Sequence, residues 1–368
     1  MNHRRTGLIA IVCVIFSAVA IISSPALAAP SQIKGMIEVT VDGQTFEGKP
    51  LSWNDREVHL LGRDGRLWSF DPGKATKFKQ TAQRFTPYSP SKIRAMLLRE
   101  LGNRFEVTGT SHYMIAHPKG QRDKWAQRFE DIYRSFVRYF SVRGFDLQKP
   151  PFPLIGIVCH NQDEFMRLTA QRGMAVGRGV LGYYSMKTNR ITVFDRGDNG
   201  STSRGWQTTN STIVHEATHQ VAFNTGISSR YCPPPLWVAE GLATLFEAPG
   251  VYDSSNYRTR EDRINRVRFK DFVKIPRTKN GELPNALVAS DGLFRSQPGA
   301  AYAEAWAMTF YLLETQPRKF AKYLKKTTEH RPFTKCTTRQ RMADFTAVFG
   351  KDWRMFDAHF LRFMGGLD

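Results

Sequence analysis

Between residues 33 and 85 apolar side chains recur at every second position, in the runs holding Val39 and Val41, Val58 and Leu60, and Trp68 and Phe70. Asp42-Gly43 and Asp64-Gly65 separate these runs as turns. A two-residue period buries one face of a strand, so the stretch predicts a small β-barrel, read as SH3-like. Thr86 to Ser91, with two prolines, reads as a linker. The period then lengthens. A helix is predicted over 92–101, strands near 105–108 and 113–117, and a long helix over 121–140. An apolar strand over 152–158, a helix capped by Asn161 and a hairpin over 183–194 follow. Beyond Glu247 the pattern is mostly helical, at 302–315, 318–328, 339–349 and 353–363. The expected fold class is therefore α+β: an all-β domain over 33–85, then a larger domain over 92–368 with a mixed-sheet half and a helical half. No internal repeat or low-complexity tract interrupts it.

One octapeptide adds chemistry to this pattern. Residues 213–220 contain His215-Glu216-x-x-His219. A helix is expected over 212–223, capped by Asn210 or Ser211 and ended by Asn224-Thr225-Gly226, with Val214, Val221 and Ala222 for burial. Residues four apart share a helix face, so both imidazoles can reach one metal ion, with Glu216 beside them to take a proton from water. A catalytic zinc site usually has three protein ligands. The long three-histidine signature would need glycine and histidine where the chain has Ala222 and Thr225. The third ligand is instead expected on the next helix, within 233–247, as Glu240, with Pro235 in the first turn and Pro249-Gly250 closing the segment.

His215-Glu216-x-x-His219 together with Trp237-x-x-Glu240-Gly241-x-Ala243 resembles the gluzincin zinc peptidases, in their peptidase MA-like branch. The resemblance implies a zincin-like domain in which His215, His219 and Glu240 bind Zn2+ and Glu216 is the general base for hydrolysis of peptide bonds. It extends, at the level of pattern, over about residues 90 to 368, to an uncharacterised subgroup of secreted bacterial proteins. Gly182-Tyr183-Tyr184 and 189–193 are similar to that group's hairpin before the active-site helix, and 301–306 to a later helix behind the site. Many gluzincins place aspartate four residues after the glutamate ligand, where this chain has Thr244; Thr244 and Glu247 are both candidates to hold a ligand histidine. Tyr302 is the expected oxyanion donor, with His330 as the alternative. The hairpin is either plain sheet packing or an edge that pairs with extended substrate.

The N-terminus and the charge place this domain. Basic residues Arg4 and Arg5, an apolar run from Gly7 to Ile22 and Ala26-Leu27-Ala28 predict a signal peptide over 1–28, cleaved after Ala28, and hence a periplasmic or secreted protein without a stable membrane span. Cys159, Cys232 and Cys336 then remain; either Cys232 bridges Cys336 or it is a buried thiol. The formal charge of +20 falls by only Arg4 and Arg5 when the leader is lost. Basic clusters at 258–268 and 322–326 are either ordinary solvated faces or attract anionic cell-envelope polymers or acidic substrates, beside a peptide or protein substrate for the site itself, and no nucleic-acid motif accompanies them. The rival to an exported zinc peptidase is a catalytically inactive, zinc-containing scaffold or envelope-binding protein.

Overall fold

The structure, a computed structural model, describes residues 35–197, 203–276 and 282–367. The signal-peptide segment lies outside the described residues. No helix among those described is long and apolar enough to cross a membrane.

The alternating N-terminal stretch forms five strands, β1 (Met36–Val41), β2 (Gln44–Trp53), β3 (Val58–Gly62), β4 (Leu67–Phe70) and β5 (Ala75–Ala82). They form one antiparallel sheet in the order β4-β3-β2-β1-β5, the last strand returning beside the first after a 3-10 turn at Pro72–Lys74. The β1–β2 connection is tight because Asp42 and Gly43 both take positive φ, 50° and 79°. Ile37, Val39, Val41 and Leu60 fill the sheet's inner face, as the two-residue period requires.

The second layer begins with α1 (Pro90–Leu101), capped by Ser89. Strands β6 (Phe105–Gly109), β7 (Tyr113–Pro118), β8 (Leu154–Cys159), β9 (Gly182–Ser185) and β10 (Arg190–Phe194) make a mixed sheet ordered β6-β7-β8-β10-β9. Strands β7, β8 and β10 run parallel, and β9 pairs antiparallel with β10 at one edge. Helices α2 (Arg122–Ser141) and α3 (Gln162–Gln171) connect these strands, α3 being capped by Asn161 as expected.

The remaining chain is helical: α4 (Ser203–Asn224), α5 (Leu236–Phe246), α6 (Pro249–Tyr252), α7 (Arg266–Val273), α8 (Glu282–Ala289), α9 (Gly292–Ser296), α10 (Pro298–Thr315), α11 (Pro317–Thr328), α12 (Thr338–Phe349) and α13 (Trp353–Gly365). The α+β class and its mixed-sheet and helical halves are thus realised.

Two expectations about the key helices need correction. α4 starts about two turns before Asn210, so neither Asn210 nor Ser211 caps it. The hydroxyls of Thr209 and Thr212 donate to the carbonyls of Gly205 and Thr208 one turn back, so this polar run satisfies itself within the helix. In α5, Pro235 is the cap residue rather than a residue of the first turn; the helix does end before Pro249-Gly250, and that pair opens the short α6. The end of α4 is as predicted, with Gly226 at φ 87° just beyond it.

Candidate metal centre

α4 lies along the mixed sheet and is pinned to it by a buried amide: Gln220 Nε2 donates to the carbonyls of Ile155 and Asn189, at 3.1 and 2.8 Å. Val214, Ala217 and Val221 enter the core on that side. The opposite stripe therefore carries His215, Glu216 and His219 outward, towards α5. α5 is anchored by Trp237, fully buried against Phe320, Tyr323 and Phe345.

Gly241, the residue after Glu240, has a packing reason. A Cβ there would stand 2.1 Å from the Thr309 hydroxyl and 2.6 Å from the Ala305 carbonyl oxygen of α10. Glycine lets α10 close on α5, and Tyr302, one turn into α10, then reaches hydrogen-bonding range of Glu240. Gly182 works likewise: a Cβ would meet Val193 and Thr212 side-chain atoms at 2.5 and 2.9 Å. β9 therefore lies close enough to α4 for the Tyr184 backbone N–H to donate to Glu216 Oε2 at 2.7 Å.

One ligand atom from each of His215, His219 and Glu240 lies within 4.8 Å of the others. Nε2 of His215 and of His219 face the Glu240 carboxylate at 3.3 and 3.7 Å, and the two rings stand nearly perpendicular, 4.9 Å apart. Burial opposes a charge on either ring. Even so, the Glu240 and Glu247 carboxylates beside its two ring nitrogens lift the His215 pKa well above the usual histidine value. The His219 pKa is lowered, by burial first, against the pull of Glu240, and with the help of its cationic neighbour His215. Burial also opposes a charge on Glu240, but the two histidines and the Tyr302 hydroxyl bring its pKa down.

These residues fit a cation. Oε2 of Glu240 is buried without a well-formed hydrogen bond, and the Glu240 carboxylate faces Nε2 of both imidazoles, where a cation would satisfy all three groups. Two imidazole nitrogens and a carboxylate oxygen are a donor set suited to zinc.

Thr244 does not contact His215. Its hydroxyl donates to the backbone carbonyls of Glu240 and Gly241, at 2.6 and 3.2 Å, and stays within its own helix. Glu247 takes the role instead, its Oε1 accepting from His215 Nδ1 at 2.9 Å. Seven residues past Glu240, it sits on the same face of the helix two turns on. Asn265 in turn donates to Glu247 Oε2 and to the Thr244 carbonyl, at 2.9 and 2.8 Å. Nothing in the sequence announces that contact; in the structure Asn265 also caps α7.

A cleft of about 550 Å³ opens on the centre, lined by Gly182, His215, Glu216, Glu247, Arg268 and Tyr302 among others. Tyr302 is thus where the oxyanion donor was expected. His330 is not: its ring is held by Asp344 of α12. Arg268 was legible only as one member of the basic cluster at 258–268; its guanidinium lies over the Tyr302 ring at 5.2 Å. Cys159, Cys232 and Cys336 are free thiols; Cys232 is buried and its Sγ donates to the Thr327 carbonyl at 3.3 Å, so of the two expectations the buried thiol is the one found.

Over residues 209–334 the chain is similar to a family described as a protein of unknown function (DUF1570). The match takes in His215, Glu216, His219 and Glu240, together with Asn265, Arg268 and Tyr302. A search of the curated proteins returned no match.

Proposed function

We propose that the chain is an exported zinc-dependent peptidase that hydrolyses peptide bonds, with His215, His219 and Glu240 as ligands. The observation that carries this reading is the convergence of three ligand atoms within 4.8 Å beside a cleft that also receives Glu216. When bound, zinc supplies Lewis acidity, which makes water a competent nucleophile near neutral pH.

The chain's own groups supply the rest. Glu216 has one carboxylate oxygen held by the Tyr184 N–H, which fixes its orientation and leaves the other to accept a proton from water and return it to the leaving amine. Burial and then the Glu240 charge raise the Tyr302 pKa, so its hydroxyl keeps its proton and can donate it in a hydrogen bond to the developing oxyanion. Glu247 holds His215 through Nδ1, which leaves Nε2 for the metal. β9 is an edge strand. Because the Tyr184 N–H points away from β10, alternation turns the Gly182 backbone to the same open edge, where an extended peptide can pair.

Anionic envelope polymers are proposed as surroundings. On α11, Phe320, Tyr323 and Leu324 are buried while Arg318, Lys319, Lys322 and Lys325 are exposed on the other side.

The test is zinc content and cleavage of a diverse peptide library by the mature protein and by Glu216→Gln. One zinc per chain in both, with a loss of about 10²- to 10⁴-fold in cleavage for the variant, is expected. Equal zinc with no Glu216-dependent cleavage would identify the inactive scaffold instead, and zinc-free protein insensitive to His215→Ala would remove the metal site too.

A further inference from the structure

Two separate hollows, one arm at each end of β9, flank the centre. At the strand's start lie Leu181, Gly182, Gln207, Thr212 and Arg268. At its end lie Met186, Phe223, Pro233, Pro234 and Leu236. The second arm is apolar in character, since its one further carboxylate, Asp291, already accepts from Arg341 at 2.8 Å and from the Leu236 N–H at 3.2 Å.

Arg268 gives the first arm a different chemistry. Its side chain is 24 % exposed, and its nearest carboxylate oxygen is Glu247 Oε2, 4.0 Å from Nε. That Nε is buried without a hydrogen bond. Glu247 is already engaged by His215 and Asn265, and Glu216 by the Tyr184 N–H. The other polar side chains here, Gln207, Ser211 and Thr212 among them, are uncharged. A guanidinium held over an aromatic ring, with donors unspent, suits a planar carboxylate that can accept two parallel hydrogen bonds.

We propose that Arg268 reads a carboxylate of the substrate, which makes the preferred substrates peptides with an apolar residue on one side of the cut bond and an acidic group on the other. The inference rests on the peptidase reading and adds the substrate class to it. Antiparallel pairing with β9, the more stable ladder, puts the peptide's C-terminal part at the start of β9. The acidic group then follows the cut bond, as an Asp or Glu side chain or as the free C-terminal carboxylate.

The experiment uses zinc-loaded mature protein and matched fluorogenic peptides carrying Glu, Gln or Lys after an apolar residue, each with a free or amidated C-terminus. Wild type, Arg268→Gln, Arg268→Lys and Arg268→Glu are compared. The expected result is at least about a tenfold preference in kcat/KM for a carboxylate, carried mainly by KM, lost in Arg268→Gln, partly kept in Arg268→Lys and turned towards Lys peptides in Arg268→Glu. Loss of preference for Glu over Gln identifies the side chain as the source; loss confined to free against amidated peptides identifies the terminus. Wild type indifferent to charge, or Arg268→Gln slowing all peptides equally, overturns the proposal while the peptidase reading stands. Binding of the same labelled peptides to Glu216→Gln, alone and combined with Arg268→Gln, gives a readout without turnover. If wild type cuts nothing, the peptidase reading falls by itself, and an Arg268-dependent preference in binding, or its absence, decides the matter.

Discussion

Two clusters of charged side chains sit about the mixed sheet, and they are built on opposite rules. Where the N-terminal sheet meets it, Glu100 accepts from Arg66, Arg172 and Arg190 at 3.0, 2.8 and 2.7 Å, and Asp64 lies 2.9 Å from Arg66. Each of the five charges has an opposite charge within 3.0 Å. At the metal centre Glu240, Glu247 and Glu216 surround two imidazoles, Glu240 keeps an oxygen without a hydrogen bond, and Arg268 stands 4.0 Å from its nearest carboxylate. In the first cluster three guanidiniums share two carboxylates and every charge touches an opposite one, as in an ion network that holds two layers together. The second has more acceptors than the chain's own donors can satisfy, which is the condition for binding a cation and a substrate. Neither burial nor spare donors separate them, since Arg66 Nε and Arg190 Nε also lack hydrogen bonds; the spare carboxylate oxygen of Glu240 does.

The largest expected effect breaks the closed cluster. Glu100→Gln leaves Arg190, only 2 % exposed, without its nearest anion, and a loss of about 3–5 kcal/mol in unfolding free energy is expected, with zinc stoichiometry of the folded protein unchanged. The same network predicts acid sensitivity. Burial opposes the Glu100 charge, but Arg190, Arg172 and Arg66 hold its pKa at about 2. The depressed value means that its stabilising contribution is complete above the ordinary carboxylate range and is lost as pH falls from there through about 2. Chemical denaturation between pH 5 and pH 2 should therefore cost wild type more than Glu100→Gln; parallel losses would dismiss the network as a source of stability.

A smaller effect sharpens the open cluster. Glu247→Gln removes the carboxylate from His215 Nδ1 and should weaken zinc affinity about 10–100-fold, with little change in unfolding of the metal-free protein. Competition with a chelator measures it, and unchanged affinity would mean that Glu247 is only a packing residue. The affinity should also fall with decreasing pH, because His215 must give up the proton that Glu240 and Glu247 favour before it can bind a cation. The smallest effect is at Asn265→Ala, where losing the hydrogen bonds to Glu247 and Thr244 should cost about 1 kcal/mol of stability and a few-fold in zinc affinity. If only stability drops, Asn265 orients α7 and not the metal centre.

Much of this molecule follows from local patterns. The two-residue period of 36–82, the left-handed pair Asp42-Gly43, the Asn161 cap and the spacing of His215, Glu216, His219 and Glu240 are written in neighbouring residues, because strand alternation, turn geometry and helical repeat act over a few positions. Even the glycine after Glu240 belongs to a recognisable run. The beginning of α4 was not legible, since its threonines satisfy themselves within the helix and send no stop signal. Residues whose partners lie far along the chain were out of reach as well. Tyr184 reaches Glu216 across 32 positions, Asn265 reaches Glu247 across 18, and Arg268 comes over Tyr302 only because α7 packs on α10. The sequence by itself determined which side chains could bind a metal and on what helical face; the tertiary structure alone decided that Glu247 rather than Thr244 contacts His215 and that a guanidinium with a buried Nε free of hydrogen bonds shares their cleft. The physical reason is range: periodicity is set by the backbone's own geometry, whereas hydrogen-bond and charge partners are set by which elements pack together.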